Sequence, residues 1–227
     1  VLNRRRLERA RRARARRERL KQPSTSRSQL WKNLSIKTSN KVQIERAKIL
    51  SDVRHKVFIS YHHDDEEEAT KFIETFDYEK KVFICRVLGC GMEQDIIDST
   101  DVDYVMGRIR KLYLKDSTVT IVLIGKCTWS RRYVDWEIQS SLRHGETVTP
   151  NGLLGIVLPS AHKNPIAPSR LDINLDDDHE KAYARWYCYP TRTDYLSNWI
   201  ENAYKARTTK AHLIKNPRDN FRYNRQC

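Results

Sequence analysis

Between residues 55 and 207 the hydrophobic and polar positions alternate between a period of two and a period near 3.6, and each change marks a strand giving way to a helix. The densest apolar run is Thr118-Val119-Thr120-Ile121-Val122-Leu123-Ile124-Gly125. Its β-branched residues read as a strand buried on both faces. A helix is expected over 130–143, with Val134, Ile138, Ser141 and Leu142 facing the sheet. Lys56-Val57-Phe58-Ile59-Ser60 is expected as the first strand. Behind it the acidic run Asp64-Asp65-Glu66-Glu67-Glu68 suits the positive end of a helix whose apolar residues are Ala69, Phe72, Ile73 and Phe76. Val82-Phe83-Ile84-Cys85 reads as strand two and 86–101 as a long loop. Val102, Val105, Met106, Ile109 and Leu112 form the stripe of a second helix. Leu153 to Leu158 and Trp186-Tyr187-Cys188-Tyr189 are strands four and five, each ended by a proline. Residues 160–182, with Pro165, Pro168 and Asp176-Asp177-Asp178, read as a long exposed insertion. A last helix from about Asp194 to Arg207 buries Leu196, Trp199, Ile200 and Ala203.

Strands and helices in alternation call for a parallel sheet with helices on both faces. The expected architecture is α/β, a flavodoxin-like three-layer sandwich whose five-stranded parallel sheet has the order 2-1-3-4-5. Such sheets hold ligands beyond the carboxyl ends of their strands. Glu137 follows the third strand and so belongs beside that edge, with Tyr133 one helical turn before it on the same face. The pair suggests charge chemistry on a small ligand.

Charge divides the chain. Residues 1–54 hold 18 of the 43 basic residues and only 4 of the 29 acidic ones, which accounts for the whole net charge of +14. The organisation read from this is a basic, disordered or partly helical arm over 1–54, a domain over 55–207 and a polar tail over 208–227. Nucleic-acid binding, if any, belongs to the arginine-rich residues 1–22, through counterion release from phosphates; a solvated tail fits the same composition. No methionine precedes Met92, which also fits a translated upstream start or a fragment edge. The five cysteines are odd in number and show no CxxC spacing, which argues against a disulfide framework and for a reducing, cytoplasmic compartment. Cys85 and Cys127 border strands and read as small buried hydrophobes. No apolar run has the length of a membrane span, and the N-terminus lacks a signal peptide's apolar core. His62-His63-Asp64-Asp65 invites a metal reading. Adjacent side chains diverge in most backbone conformations, however, so a polar loop is expected and no metal.

Lys56-Val57-Phe58-Ile59-Ser60-Tyr61 resembles the first strand of a TIR domain, and Tyr133 to Glu137 resembles the TIR pattern of an aromatic residue four before a glutamate. Ile121-Val122-Leu123-Ile124-Gly125, Thr128-Trp129-Ser130 and Val134-Asp135-Trp136-Glu137-Ile138 are similar to the TIR-like family first described from an archaeal flavodoxin-like protein. That family includes the TIR component of bacterial Thoeris anti-phage systems. The resemblance spans roughly 55–200. It implies an NAD-consuming enzyme, an NAD+ nucleosidase or ADP-ribosyl cyclase, that cleaves the nicotinamide–ribose bond and makes a cyclic ADP-ribose isomer for a separate effector protein. NAD is then a substrate, and no cofactor is needed. By the same resemblance Glu137 is the catalytic carboxylate, Ser60, Tyr61 and His62 line the pocket, and Tyr133 stands where many TIR domains carry tryptophan. Self-association is implied as well.

The chemistry needs little more. Nicotinamide in NAD is already cationic and leaves without an acid, through a transition state like an oxocarbenium ion. One ionised carboxylate near the ribose can stabilise it. Cyclisation further requires that water be kept out, and the loop 86–101 is a candidate lid. A phospho-receiver on the same fold would need an aspartate ending the third strand, where this chain has Gly125-Lys126. A TIR module that only assembles with other TIR surfaces, tethered or not to nucleic acid by the arm, is the alternative function.

Overall fold

The computed structural model describes residues 54–86, 102–217, 219 and 221–227. Residues 1–53 of the arm and 87–101 of the loop lie outside these. Of the second helix's expected stripe, only Ile109 has a described side chain, and it is buried.

Residues Val53–Cys227 form one compact unit. Its sheet contains β1 (Lys56–Ser60), β2 (Ile84–Arg86), β3 (Val119–Ile124), β4 (Gly152–Val157) and β5 (Arg185–Cys188). All pairings are parallel and the order is β2-β1-β3-β4-β5, the expected flavodoxin-like arrangement. The principal helices are α1 (Glu66–Ile73), α2 (Val102–Ile109), α3 (Arg132–Ser141), the short α4 (Ser169–Asp172) and α5 (Thr193–Thr209). Strand two begins two residues later than its apolar run because Val82 and Phe83 complete the turn leaving α1. There Val82 N–H donates to Phe76 O.

Strand alternation divides the core in two. Val57, Ile59, Ile121 and Leu123 pack with α1 and with Leu196 and Ile200 of α5. Val122, Ile124, Leu153 and Val157 pack with Val134, Ile138 and Leu142 on or beside α3, and with Leu171 of α4. A β-carbon on Gly152 would stand 2.0 Å from the Ala203 carbonyl oxygen, so α5 rests directly on the β4 backbone.

Two expectations are corrected. Residues 160–182 are not simply an exposed insertion: Ala161, Leu171 and Ala182 are buried, and Arg170, 3% exposed, forms a bidentate ion pair with Asp135 of α3. An arginine amid prolines and aspartates looks solvated in sequence; a carboxylate on the neighbouring helix draws it inside. The cysteines are not all free either. Cys127 is bonded to Cys227, 100 residues away, while Cys85 and Cys188 are free thiols. An odd count excludes complete pairing but not one pair.

Residues 216, 217, 221, 222, 224 and 225 lie along α3, and α3 is consequently buried on more than its sheet-facing side. Asp135, Trp136 and Glu137 are each 5% exposed or less. Among the described residues no helix is long and apolar enough to cross a membrane.

Candidate functional site

Ser60 ends β1 opposite Val122 of β3, and alternation sends its side chain to the face that α3 covers. Its hydroxyl donates a 2.5 Å hydrogen bond to Glu137 Oε2, with both residues buried. The helix is itself anchored at this level. Ser141 Oγ donates to the Glu137 carbonyl (2.8 Å), Thr120 Oγ1 of β3 donates to Ser141 Oγ (2.8 Å), and Asn151 Nδ2 donates to Thr120 Oγ1 (3.2 Å). A buried polar ladder thus fixes α3 against β3 along its length and turn, which sets the direction of Glu137.

Beyond β1 the chain remains extended at His62 and then makes a 3-10 turn over His63–Asp65. His62 is 5% exposed. Its Nε2 lies 3.0 Å from Asp64 Oδ2, but off the direction an aligned hydrogen bond requires. Burial holds the imidazole below its usual range; the Arg131 and His63 charges push the same way and Asp64 opposes them. Asp65 occupies the space over Gly125, where a β-carbon would meet its carboxylate at 2.0 Å. Thr128 Oγ1 lies 3.3 Å from Asp65 Oδ2 as donor and accepts from Gly125 N–H at 2.8 Å. Burial raises the Asp65 pKa; the Thr128 hydrogen bond opposes that, Glu68 and Asp64 add to it, and Arg131 opposes it. Arg131, the residue before α3, has a buried Nε without a hydrogen-bond partner. A carboxylate, an imidazole and a guanidinium therefore gather where β1 and β3 end, the edge at which such sheets hold ligands.

The other expected site residues divide. Tyr61 packs against the cluster beneath α1, on the face opposite Ser60, so alternation removes it from Glu137. Tyr133 does lie one turn before Glu137. Its hydroxyl accepts from Arg132 Nη2 at 3.0 Å, Arg132 lies over its ring, and Trp136 meets it edge-on at 5.3 Å. These contacts turn it toward the outer stripe of α3. His62, His63 and Asp64 bring one donor atom each within 4.8 Å of one another, a set able to hold a metal ion. The nearby Arg131 charge opposes a cation there.

Asp65, Thr128 and Arg131 were not singled out from sequence as site residues. A glycine directly after a buried strand, with a threonine three residues on, was the available signal for the first two. A hollow of about 260 Å³ between β4, β5 and α5, bordered by Tyr183, Arg185, Trp199 and Lys205, shares no residue with this site.

The family model described as Thoeris protein ThsB, TIR-like domain, matches residues 58–163. That span includes Ser60, His62, Arg131, Tyr133 and Glu137, and stops before β5, α5 and the segment along α3. No curated protein matches the chain.

Proposed function

We propose that this chain, whose residues 58–163 carry a TIR-like domain similar to that of Thoeris protein ThsB, consumes NAD in anti-phage defence. The carrying observation is the buried Ser60–Glu137 hydrogen bond at the carboxyl edge of the sheet. In the proposed reaction the C1′–N bond of the nicotinamide riboside breaks and its electron pair goes to the ring nitrogen, so nicotinamide leaves neutral. The ribose becomes cationic at C1′ and O4′, and ionised Glu137 stabilises it, held in direction by Ser60. His62 and Arg131 supply the recognition: a guanidinium at the start of α3 suits the substrate's diphosphate. Water attacking C1′ gives linear ADP-ribose, whereas a nucleophile within ADP-ribose gives a cyclic isomer lighter by one water. The cyclic isomer, acting on a separate effector, is the product we propose for a Thoeris-type system. NAD is substrate, no cofactor takes part, the setting is cytoplasmic, and copies of the domain associate to complete the pocket.

Incubating the full chain with NAD and following nicotinamide by chromatography tests this. Glu137→Gln should lower release by roughly 100–1,000-fold while leaving the fold intact. Undiminished release from a folded Glu137→Gln protein would overturn the carboxylate's role. A wild-type chain that releases none, alone or with phage lysate, would favour a non-catalytic TIR module. Product mass separates cyclisation from hydrolysis.

A further inference from the structure

α3 has no side-chain cap of its own: Arg131 precedes it in an extended conformation and makes no capping bond. The missing partner comes from far along the chain, where Asn224 Oδ1 accepts from the Arg132 N–H at 3.0 Å. The same segment continues along the helix. Arg225 N–H donates to the Ser130 carbonyl (2.8 Å), Phe221 N–H to Asp135 Oδ2 (3.3 Å) and Trp136 Nε1 to the Phe221 carbonyl (3.1 Å). Gln139 Nε2 donates to the Pro217 carbonyl at 3.1 Å, and Asn216 Nδ2 to the Gln139 carbonyl at 3.1 Å. Residues 132, 135, 136 and 139 form one helical stripe. The segment grips that stripe, while Ile138 and Leu142 hold the sheet and Glu137 meets Ser60. Arg170 joins the two layers, donating to Asp135 and to the carbonyls of Pro217 and Asp219 (each 2.7 Å).

The strap is closed covalently. Cys127, in the turn that feeds α3, is bonded to the exposed Cys227. Ordering a segment of this length costs free energy comparable to what its hydrogen bonds return, so the covalent closure decides its occupancy. In a reducing compartment such a pair is more often redox-sensing than a permanent staple.

We infer that the described residues 214–217, 219 and 221–227 belong to a redox-latched strap whose closure caps α3 and positions Glu137 against Ser60. To open it, a thiolate of a small dithiol attacks the exposed Cys227 sulfur, and Cys127 leaves as a thiolate and takes a proton. The reductant's second thiol then displaces Cys227 and the reductant ends as a disulfide. Two electrons and two protons pass to the cysteines; a low-molecular-weight disulfide reverses the step. The opened strap withdraws Asn224, uncaps the first turn of α3 and loosens the hold on Glu137. Asn224 and Asp135 are positioning residues in this scheme, and its activity readout rests on the proposed NAD cleavage.

The test uses the full chain, oxidised and after dithiothreitol, with hydrogen exchange and nicotinamide release measured on each. Reduction should speed exchange of the amides of 132–135 at least tenfold. It should lower kcat several-fold with a smaller change in KM, and reoxidation should restore both. Cys227→Ser should behave as reduced protein in either condition, Asn224→Ala should lose part of the protection while oxidised, and Cys188→Ser should respond like wild type. Equal exchange at 132–135 before and after verified cleavage would overturn the latch, as would alkylation of both Cys127 and Cys227 in unreduced protein. If neither state releases nicotinamide, the activity proposal fails, and the exchange result still decides the latch.

Discussion

Ser60 and Glu137 are 77 positions apart in the chain and joined by a 2.5 Å hydrogen bond. Glu137 was legible as the carboxylate after the most apolar strand, and Ser60 was a candidate through the resemblance to TIR domains. Their meeting was not legible, because alternation assigns a face and no neighbour. Tyr61 shows the rule cutting the other way: one position beyond Ser60, it belongs to the opposite face. His62 carries a pH prediction. Burial and Arg131 hold its folded pKa below the ordinary 6.5, so on acidification the unfolded chain takes up the proton first. The stability linked to neutral His62 is therefore present above about pH 6.5 and lost as pH falls toward the depressed folded value. Urea denaturation of wild type and His62→Gln between about pH 7.5 and about 5.5 should show a shallower loss in the variant. Arg131→Gln should raise the His62 pKa, read from its imidazole resonances. An unchanged slope in the first experiment, or an unmoved resonance in the second, would remove this account of His62.

Among the elements, α3 concentrates what periodicity reveals and what it misses. Val134, Ile138, Ser141 and Leu142 are buried as the stripe required. Outside that stripe Asp135 and Trp136 are buried as well, beneath α4 and the strap. A carboxylate is normally outside, and an ion-pair partner overrides that tendency. Arg170→Ala would leave the Asp135 carboxylate buried and unpaired, with an expected loss of about 3–5 kcal/mol. Replacing both residues by apolar ones of similar size should cost less. The midpoints of denaturant curves check the difference, and a double variant no more stable than Arg170→Ala would mean that the pair's charge is not what matters. For α5, Gly152→Ala should be destabilising through backbone contact with Ala203, a collision that no flexible side chain can yield to.

At the scale of the molecule the Cys127–Cys227 bond closes a loop of 100 residues. Chain entropy sets an upper figure of about 4–5 kcal/mol for such a closure. At roughly 2–4 °C per kcal/mol for a domain of this size, reduction should lower the melting temperature by several degrees. Cys227→Ser should remove the dependence on reductant. Scanning calorimetry with and without dithiothreitol checks this, and coincident melts would show that the closure does not bear on global stability. What the amino-acid pattern determined alone was the alternation of strand and helix, the parallel sheet with its 2-1-3-4-5 order, and the edge where Glu137 belongs. The alternation follows from burial periodicity, which is written in neighbouring residues; the order and the edge follow from the flavodoxin-like fold to which that alternation points. Tertiary structure alone decided that Ser60 would reach Glu137, that Asp65 would lie over Gly125, that Arg170 would enter the interior, and that a distant polar segment would cap α3. Each is a meeting of polar groups from remote parts of the chain, selected by sheet register and by what remains unsatisfied after the apolar core has packed.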